Sequence, residues 1–262
     1  MKIKFDKYHG CGNDFIIINN LSNTFPKDAK NLIKHLCDRR FGIGADGLIL
    51  VNSHRTYPFE MIYFNSDGRE STMCGNGGRC IAHYCFNNEI IQNESKFIAC
   101  DGIHHAIVND DYVKISMKDV KGYKILESGL FIDTGSPHIV KINEDLLDLD
   151  LLSISREIQK SKQFESNGVN VNFLCVIDQK SIQLRTYERG VELETYSCGT
   201  GAVAAALSLR ILSKSNEEKV IVKTKGGELI VEFSNDDDYF YDIYLSGKVK
   251  NIFSGEYIYE KS

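Results

Sequence analysis

Two cysteines in glycine-rich segments are the residues of this sequence best suited to do chemistry. Cys74 is followed by Gly-Asn-Gly-Gly, and Cys198 is followed by Gly-Thr-Gly. In both places a strand-like apolar stretch precedes the cysteine and a helix-like stretch follows it, so each thiol is predicted to lie at a helix N-terminus. Unpaired backbone N–H groups and the positive end of the helix dipole lower the pKa of a thiol at that position. We therefore interpret both cysteines as reactive thiols.

The two cysteine segments match in order and in chemistry, which indicates an internal duplication. Each contains a strand, a polar loop with a Glu four residues before the cysteine, the sequence Cys-Gly-x-Gly and a helix. The two cysteines are separated by close to half of the 262-residue chain. We expect an N-terminal domain over residues 1–119, to which a tail at 252–262 could return, and a C-terminal domain over residues 120–251.

The order of the remaining segments predicts the fold class. Short strand-like stretches follow each other closely in both halves, as is typical of antiparallel sheet. Helices are predicted over residues 27–40, 79–86 and 201–212, and the last of these is apolar on nearly every face, so it must be buried all round. We expect an α/β (α+β) protein of two similar pseudo-symmetric domains. Each would be a curved, mostly antiparallel sheet around a central helix, with the active site in the cleft between the domains.

Composition and charge narrow the classes of partner. The chain is 42% hydrophobic and 26% charged, with a formal net charge of −5. Without a basic block, this balance argues against nucleic acid or an anionic membrane and favours a small-molecule substrate. The first residues contain no long apolar stretch, and the longest apolar runs are strand-sized, so we expect an untargeted cytoplasmic protein that does not span a membrane.

The eight cysteines are expected to be reduced. No two of them form a Cys-x-x-Cys motif, so neither a disulfide framework nor a metal site is predicted. Cys37, Cys85, Cys100 and Cys175 have apolar neighbours and are predicted to be small core residues.

A matched pair of thiols at helix N-termini suits inversion of a carbon stereocentre without a cofactor. Inversion needs a base on one face of the carbon and an acid on the other, and a thiolate and a thiol can fill these roles. The backbone amides at 75–77 and 199–201 could stabilise the negative charge that develops on a substrate carboxylate.

Over essentially its whole length the sequence resembles the diaminopimelate epimerase family. The motifs that carry the resemblance are His-Gly-Cys-Gly-Asn-Asp-Phe (9–15), Gly-Ile-Gly-Ala-Asp-Gly (42–47), Phe-Asn-Ser-Asp-Gly (64–68), Met-Cys-Gly-Asn-Gly-Gly-Arg-Cys (73–80), Gly-Ser-Pro-His (135–138), Val-Asn (169–170), Tyr-Glu-Arg-Gly (187–190) and Ser-Cys-Gly-Thr-Gly (197–201). The resemblance implies an isomerase that converts LL-2,6-diaminopimelate to the meso isomer without pyridoxal phosphate, in lysine and peptidoglycan-precursor biosynthesis. It further implies a fold of two similar α/β domains and a homodimer.

The resemblance also assigns roles to particular residues. Cys74 and Cys198 match the acid and the base, and His138 and Glu188 match positions that support catalysis. The implied substrate contacts are the side chains of Asn13, Asn65, Asn170, Glu188 and Arg189 and the backbone of Gly75, Asn76, Gly199 and Thr200. These types suit the substrate, because Arg binds a carboxylate and Glu an ammonium group. Taken alone, Asn65 is more typical of a turn residue, and His138 could equally be a buried structural histidine.

Some positions depart from the family pattern. Cys11 replaces a residue that is usually aliphatic, and it is not expected to be catalytic. Ser136 and Gly47 stand where many members have residues that contact the substrate, so these two contacts are not predicted.

Other functions remain open from the sequence. Relatives of the same fold racemise proline or hydroxyproline, and others act as phenazine-pathway isomerases. Two hypotheses come from other classes of protein. One is a thiol redox protein with a working disulfide between Cys74 and Cys198, and the other is a plain binding module.

Overall fold

The computed structural model describes residues 1–26, 28–213 and 216–260, which form two compact units. Unit 1 comprises Met1–Ile115 and the segment that starts at Gly247, and unit 2 comprises Ser116–Ser246. In the described parts of the chain, no helix is long and apolar enough to cross a membrane.

Unit 1 is a sheet with two helices. Its elements are β1 (Lys2–Gly10), β2 (Asn13–Asn20), α1 (Lys30–Cys37), β3 (Gly47–Asn52), β4 (Glu60–Asn65), α2 (Gly75–Asn87), β5 (Glu94–Ala99), β6 (Gly102–Asn109) and β7 (Tyr112–Ser116).

Unit 2 also contains two helices, with a larger number of strands. Its elements are β8 (Val120–Lys121), β9 (Lys124–Leu126), β10 (Gly129–Asp133), β11 (Pro137–Ile142), α3 (Leu151–Lys160), β12 (Asn170–Val176), β13 (Ser181–Glu188), β14 (Leu193–Thr195), α4 (Gly199–Ser213), β15 (Lys219–Thr224), β16 (Gly227–Asp236) and β17 (Tyr239–Ile258). The last strand begins in unit 2 and ends in unit 1, where it pairs with β1.

The two units share one order of strand pairings. From β1 to β6 in unit 1, neighbouring strands pair antiparallel, parallel, antiparallel, parallel and antiparallel. The same order recurs in unit 2 through β10, β11, β12, β13, β15 and β16. A helix connects each parallel pair, as a crossover between parallel strands requires. The prediction of two similar units is confirmed, with parallel pairs wherever a helix intervenes.

The central helices α2 and α4 form the core of their units. The side chains from Ala202 to Leu207 are fully buried, as are Cys80, Ile81 and Ala82 in α2. Each helix packs on several strands of its own unit. The prediction that the helix after Cys198 is buried all round is therefore confirmed as far as Leu209, and Leu212 in its last turn is exposed.

Helix limits differ from the sequence prediction at several places. α1 covers only Lys30–Cys37 of the predicted 27–40, and Lys27 lies outside the described residues. After it, the Asp38 carboxylate accepts hydrogen bonds from the backbone N–H groups of Arg40 and Phe41, which closes a turn instead of another helical turn. Both central helices begin directly after their cysteines, earlier than predicted, because their glycines adopt helical geometry.

One helix was not predicted. The carboxylate of Asp150 caps the N-terminus of α3 by accepting from the Ser153 N–H, and Leu151, Ser155 and Ile158 form its buried face. An N-capping Asp followed by this i, i+4, i+7 spacing is the signal that could have identified it.

The prediction for the cysteines outside the two motifs is only partly correct. Cys37 and Cys85 are buried, but Cys100 is exposed and Cys175 is half-buried. Both of these residues lie at the end of a strand, where the chain leaves the sheet.

Candidate active site

Cys74 is the N-cap residue of α2, in extended backbone conformation with φ −109° and ψ 120°. Its carbonyl accepts the first hydrogen bond of the helix, from the Gly78 N–H at 2.7 Å. The N–H groups of the first turn have no acceptor within their own helix. The thiol therefore lies beside backbone donors, at the positive end of the helix dipole.

A chain of hydrogen bonds orients the amide groups around this thiol. The Nδ2 of Asn13 donates to Asp46 Oδ2 at 2.8 Å, which leaves Asn13 Oδ1 to face Cys74 Sγ at 3.6 Å and Asn76 Nδ2 at 3.4 Å. The Asn76 Oδ1 accepts from the guanidinium of Arg79 at 2.8 Å. Because a carboxylate only accepts and a guanidinium only donates, the two ends fix the direction of both amides. We call Cys74, Asn13, Asn76 and Arg79 the Cys74 cluster.

Ion pairs anchor the outer end of the Cys74 cluster. Arg39 donates to both oxygens of Asp14, at 3.0 and 2.6 Å, and to Asp46 Oδ1 at 2.7 Å. The buried Lys7 ammonium lies 2.7 Å from Asp14. Burial raises the pKa of the Asp14 carboxyl, but the hydrogen bonds from Arg39 and Lys7 outweigh it and hold the pKa at about 2. The acceptor that positions Asn13 is thus part of a charged network.

Cys198 lies in the equivalent place before α4 and is buried. Its carbonyl accepts from the Ala202 N–H at 2.9 Å, and its Sγ lies 3.5 Å from the hydroxyl oxygen of Thr200. That hydroxyl in turn lies 3.0 Å from Nε2 of His138. The Thr134 hydroxyl donates to the Thr200 carbonyl at 2.9 Å and so holds the first turn of the helix.

His138 has a neutral ring. Its side chain is fully buried, and burial together with the positive charge of Arg189 lowers its pKa to about 3. The side chain of Asn172 contacts the other nitrogen of the ring, with Nδ2 2.9 Å from His138 Nδ1. We call Cys198, Thr200, His138 and Asn172 the Cys198 cluster.

Asn170 and Arg189 adjoin the Cys198 cluster, since Asn170 pairs with His138 across the β11–β12 pair and the charge of Arg189 acts on the His138 ring. The side chain of Asn170 links the end of β13 to the start of β11. Its Oδ1 accepts from the Arg189 N–H at 3.0 Å, and its Nδ2 donates to the Pro137 carbonyl at 3.2 Å. The Arg189 guanidinium is held by the Asn167 carbonyl at 3.0 Å and contacts the Ser136 hydroxyl at 3.4 Å.

The carboxylate of Glu188 is also positioned. Its Oε1 accepts from the Thr195 hydroxyl at 2.7 Å, across the β13–β14 pair. Unit 2 therefore contains a carboxylate and a guanidinium on adjacent residues, and each is held by hydrogen bonds to other residues of the unit.

The structure brings most of the residues singled out from the sequence into the two clusters or beside them. In unit 1, Gly75 and Asn76 form the first turn of α2 next to Cys74, and in unit 2, Gly199 and Thr200 do the same next to Cys198. Asn65 is different, because it is exposed at the end of β4, where its carbonyl accepts from the Gly68 N–H to close a turn.

Sequence reasoning missed Asn172 and two threonines, Thr134 and Thr186, of which Thr186 donates its hydroxyl to Asn172 Oδ1 at 3.0 Å. Asn172 shares a face of β12 with Asn170, because alternate residues of a strand point the same way. A second polar side chain, between Val171 and Phe173 in a strand that is apolar after Asn170, was the signal that could have identified it.

Comparison with solved structures defines the class of fold. A phenazine biosynthesis protein of the PhzF family from Bacillus anthracis superposes with a TM-score of 0.72 at 15% identity, covering 99% of this chain and 100% of that one. A hydroxyproline epimerase from Agrobacterium vitis, with bound trans-4-hydroxy-L-proline, gives 0.69 at 13% identity, covering 97% and 92%. The chain thus has the two-unit fold of these proteins.

Sequence comparison narrows the class to one family. The family model described as diaminopimelate epimerase matches residues 5–121 and 130–252. A diaminopimelate epimerase from Flavobacterium psychrophilum is 44% identical over 252 residues, which cover 96% of this chain and 98% of that protein. The chain therefore belongs to the diaminopimelate epimerase family, and it is an isomerase.

Proposed function

We propose that this protein converts LL-2,6-diaminopimelate to meso-2,6-diaminopimelate without a cofactor, with Cys74 and Cys198 as the acid/base pair. The observation that carries the proposal is the presence, in a member of this family, of one thiol at the N-terminus of each buried central helix. The reaction serves lysine and peptidoglycan-precursor biosynthesis in this proposal.

The chemistry exchanges one proton for another on opposite faces of the α-carbon. One cysteine, as thiolate, removes the α-proton and becomes a thiol, while the electron pair of the C–H bond is delocalised into the substrate carboxylate. The other cysteine, as thiol, then donates its proton to the opposite face and becomes a thiolate. Reversal exchanges the two roles, so each cysteine must be able to exist in both forms.

Backbone amides stabilise the intermediate in this proposal. Negative charge develops on the substrate carboxylate when the α-proton leaves, and preorganised donors stabilise such charge. The N–H groups of Gly75, Asn76, Gly199 and Thr200 belong to the first turns of α2 and α4, where no acceptor exists within the helix. The same two segments thus supply both the thiols and the donors.

The remaining assigned residues bind the polar ends of the substrate. Arg189 binds a carboxylate and Glu188 an ammonium group, and the amides of Asn13, Asn65 and Asn170 add hydrogen bonds. His138 and Glu188 support the proton transfers. The side chains of Asn170, Glu188 and Arg189 are already held by hydrogen bonds, which lowers the entropy cost of binding.

The proposal includes a homodimer, which the family resemblance implies, and a cytoplasmic location, as predicted from the sequence. Racemisation of proline or hydroxyproline is the second candidate. The hydroxyproline epimerase has the same fold at 13% identity, whereas family membership and 44% identity over nearly the full length favour diaminopimelate.

Incubation of the reduced protein with LL-diaminopimelate in deuterium oxide tests substrate and chemistry together. We expect meso-diaminopimelate to accumulate without added cofactor and to carry deuterium at the inverted α-carbon, as seen by NMR. Exchange of proline instead would preserve the fold assignment and overturn the substrate. Inertness toward both amino acids would contradict the proposed function.

Alanine variants of the two thiols test their roles. We expect Cys74→Ala and Cys198→Ala each to lower the epimerisation rate by at least about a hundredfold, because a positioned acid or base contributes that much or more. The exposed Cys100 and the half-buried Cys175 provide matched controls, and their alanine variants should keep full activity. Full turnover in either of the first two variants would rule out the two-thiol scheme.

A further inference from the structure

The amide of Asn172 has only one possible orientation. Its Nδ2 lies 3.2 Å from the carbonyl oxygen of Ile139, which can only accept a hydrogen bond, so the NH2 group must point that way. Its Oδ1 accepts from the hydroxyl of Thr186 at 3.0 Å. The second N–H of the same NH2 group is then directed at His138 Nδ1, 2.9 Å away.

This orientation determines which nitrogen of His138 carries the proton. A nitrogen that accepts a hydrogen bond cannot itself be protonated, so Nδ1 has the lone pair. Because the buried ring is neutral, its single proton is on Nε2. The Nε2–H donates to the hydroxyl oxygen of Thr200 at 3.0 Å.

The hydroxyl proton of Thr200 must then point away from His138. Its oxygen already accepts from His138, and Cys198 Sγ lies 3.5 Å away, within the range of a hydrogen bond to sulfur. A thiolate is stabilised by such a donor.

We propose that Asn172 is a positioning residue, which fixes His138 in the Nε2–H tautomer and so makes the Thr200 hydroxyl a donor to the Cys198 thiolate. The inference rests on the proposed function, since it concerns the charged form of a thiol assigned to acid/base chemistry. Asn172 contacts neither thiol nor substrate in this account and acts through His138 and Thr200.

The internal duplication shows that packing against the start of the central helix does not require an amide at this place. A Cβ placed at Gly201, the third residue after Cys198, would lie 2.5 Å from Asn172 Oδ1. In unit 1, a Cβ at Gly77, the third residue after Cys74, would instead lie 3.1 Å from Ile49 Cδ1. An apolar side chain thus occupies the equivalent place beside the other thiol, so the amide in unit 2 serves a different purpose.

The first test reads the tautomer directly. In protein labelled with nitrogen-15 at histidine, and with the His138 signals assigned by their loss in His138→Gln, we expect a protonated Nε2 and an unprotonated Nδ1 at neutral pH. In Asn172→Asp the carboxylate can only accept, so Nδ1 should become protonated. A protonated Nδ1 in the unaltered protein would overturn the proposal.

The second test measures the pKa of the Cys198 thiol without catalytic turnover. Alkylation of Cys198 by iodoacetamide as a function of pH, in a Cys74→Ser background, gives the pKa of the thiol. We expect Asn172→Asp to raise this pKa by about one unit, since the Thr200 hydroxyl then donates to His138, and the thiolate fraction below the pKa falls about tenfold. In protein with both thiols intact, kcat should fall by a similar factor with KM little changed.

Thr186 provides a milder, matched pair of variants in case Asn172→Asp does not fold. Thr186→Val leaves Asn172 Oδ1 without its donor and so weakens the hold on the amide, while Thr186→Ser retains the donor. We therefore expect a smaller rise of the thiol pKa in the first variant and its return in the second. Equal pKa values in Thr186→Val, Thr186→Ser and the unaltered chain would contradict the proposal. If the tautomer and the pKa respond as expected but the protein does not epimerise diaminopimelate, the network stands and the proposed function fails.

Discussion

Individual side chains in unit 2 are held in defined protonation states by burial. His138 contacts Asn172 and Thr200 and lies near Arg189, and none of these carries a negative charge that would stabilise a protonated ring. Its low pKa follows from burial first and from the Arg189 charge second. A neutral histidine is suited to hold a hydroxyl in place and unsuited to act as a cation toward the substrate.

The low pKa of His138 predicts a dependence of stability on pH. The folded state has a pKa of about 3 and the unfolded state about 6.5, so between these values the unfolded chain binds one more proton. The free energy of unfolding should therefore fall as pH is lowered through this window, by up to about 1.4 kcal/mol per pH unit from this group.

Urea unfolding of His138→Gln between pH 4 and 6 measures this contribution. We expect the variant to show a shallower loss of stability on acidification than the unaltered chain. His105→Gln, at a half-buried histidine beside Glu94, controls for general effects of removing an imidazole. An unchanged slope in His138→Gln would contradict a buried neutral ring.

At the scale of elements, the two central helices place their thiols through glycines. The third residue after each cysteine is a glycine that faces the sheet of its own unit, Gly77 toward Ile49 and Gly201 toward Asn172. Ile49 meets Gly77 with the end of a flexible side chain, whereas the Asn172 amide is fixed by three hydrogen bonds. The two helix N-termini have similar backbones, but the side chain that faces the glycine can move in unit 1 and is fixed in unit 2.

Alanine substitutions at these equivalent glycines should therefore differ. A Cβ at Gly201 would also lie 3.2 Å from Cys198 Cβ, so Gly201→Ala forces the fixed amide or the cysteine to move. We expect a loss of about 1–3 kcal/mol in stability and a large loss of activity. Gly77→Ala should be tolerated better, because the Cβ would meet only the mobile ends of the Ile49 and Met61 side chains at 3.1 and 3.2 Å, and the helix propensity of alanine, about 1 kcal/mol above that of glycine, then offsets the contact.

Thermal unfolding and epimerisation assays of the two variants test this difference. If Gly77→Ala and Gly201→Ala lose the same stability and the same activity, the rigidity assigned to Asn172 is wrong.

The same elements show what the sequence can predict. The cysteine segments were identified because strand, glycine-rich turn and helix are all local patterns, and their repetition predicted two similar units. The limits of α1 and the presence of α3 depended on capping by Asp38 and Asp150, which a composition-based reading overlooks. Parallel pairing was missed for a related reason, since strand direction is set by which segments intervene.

The site could be predicted where residues are close in sequence and not where they meet through the sheet. Cys198 and Thr200 belong to one motif, but Asn172 meets His138 through the parallel β11–β12 pair and Thr186 through the antiparallel β12–β13 pair. That register is fixed only by folding. The resemblance to a family supplied His138, whereas nothing in the linear pattern linked it to Asn172.

For the whole molecule, duplication has produced two units, each with one thiol at the N-terminus of its central helix, and the two thiols have different neighbours. In unit 1, Cys74 faces the amide oxygen of Asn13, an acceptor, and in unit 2, Cys198 faces the hydroxyl of Thr200. Inversion requires two groups that alternate as acid and base. The central claim is that each unit supplies one of them.

Exchange by the single-thiol variants tests this claim most directly. In deuterium oxide, a variant with one thiol can remove the α-proton only from the face that this thiol meets, and it returns a deuteron to the same face. We predict that Cys74→Ala and Cys198→Ala exchange opposite substrates, one the LL isomer and the other the D-configured carbon of the meso isomer, both without inversion. Exchange of the same isomer by both variants, or inversion by either, would contradict the account.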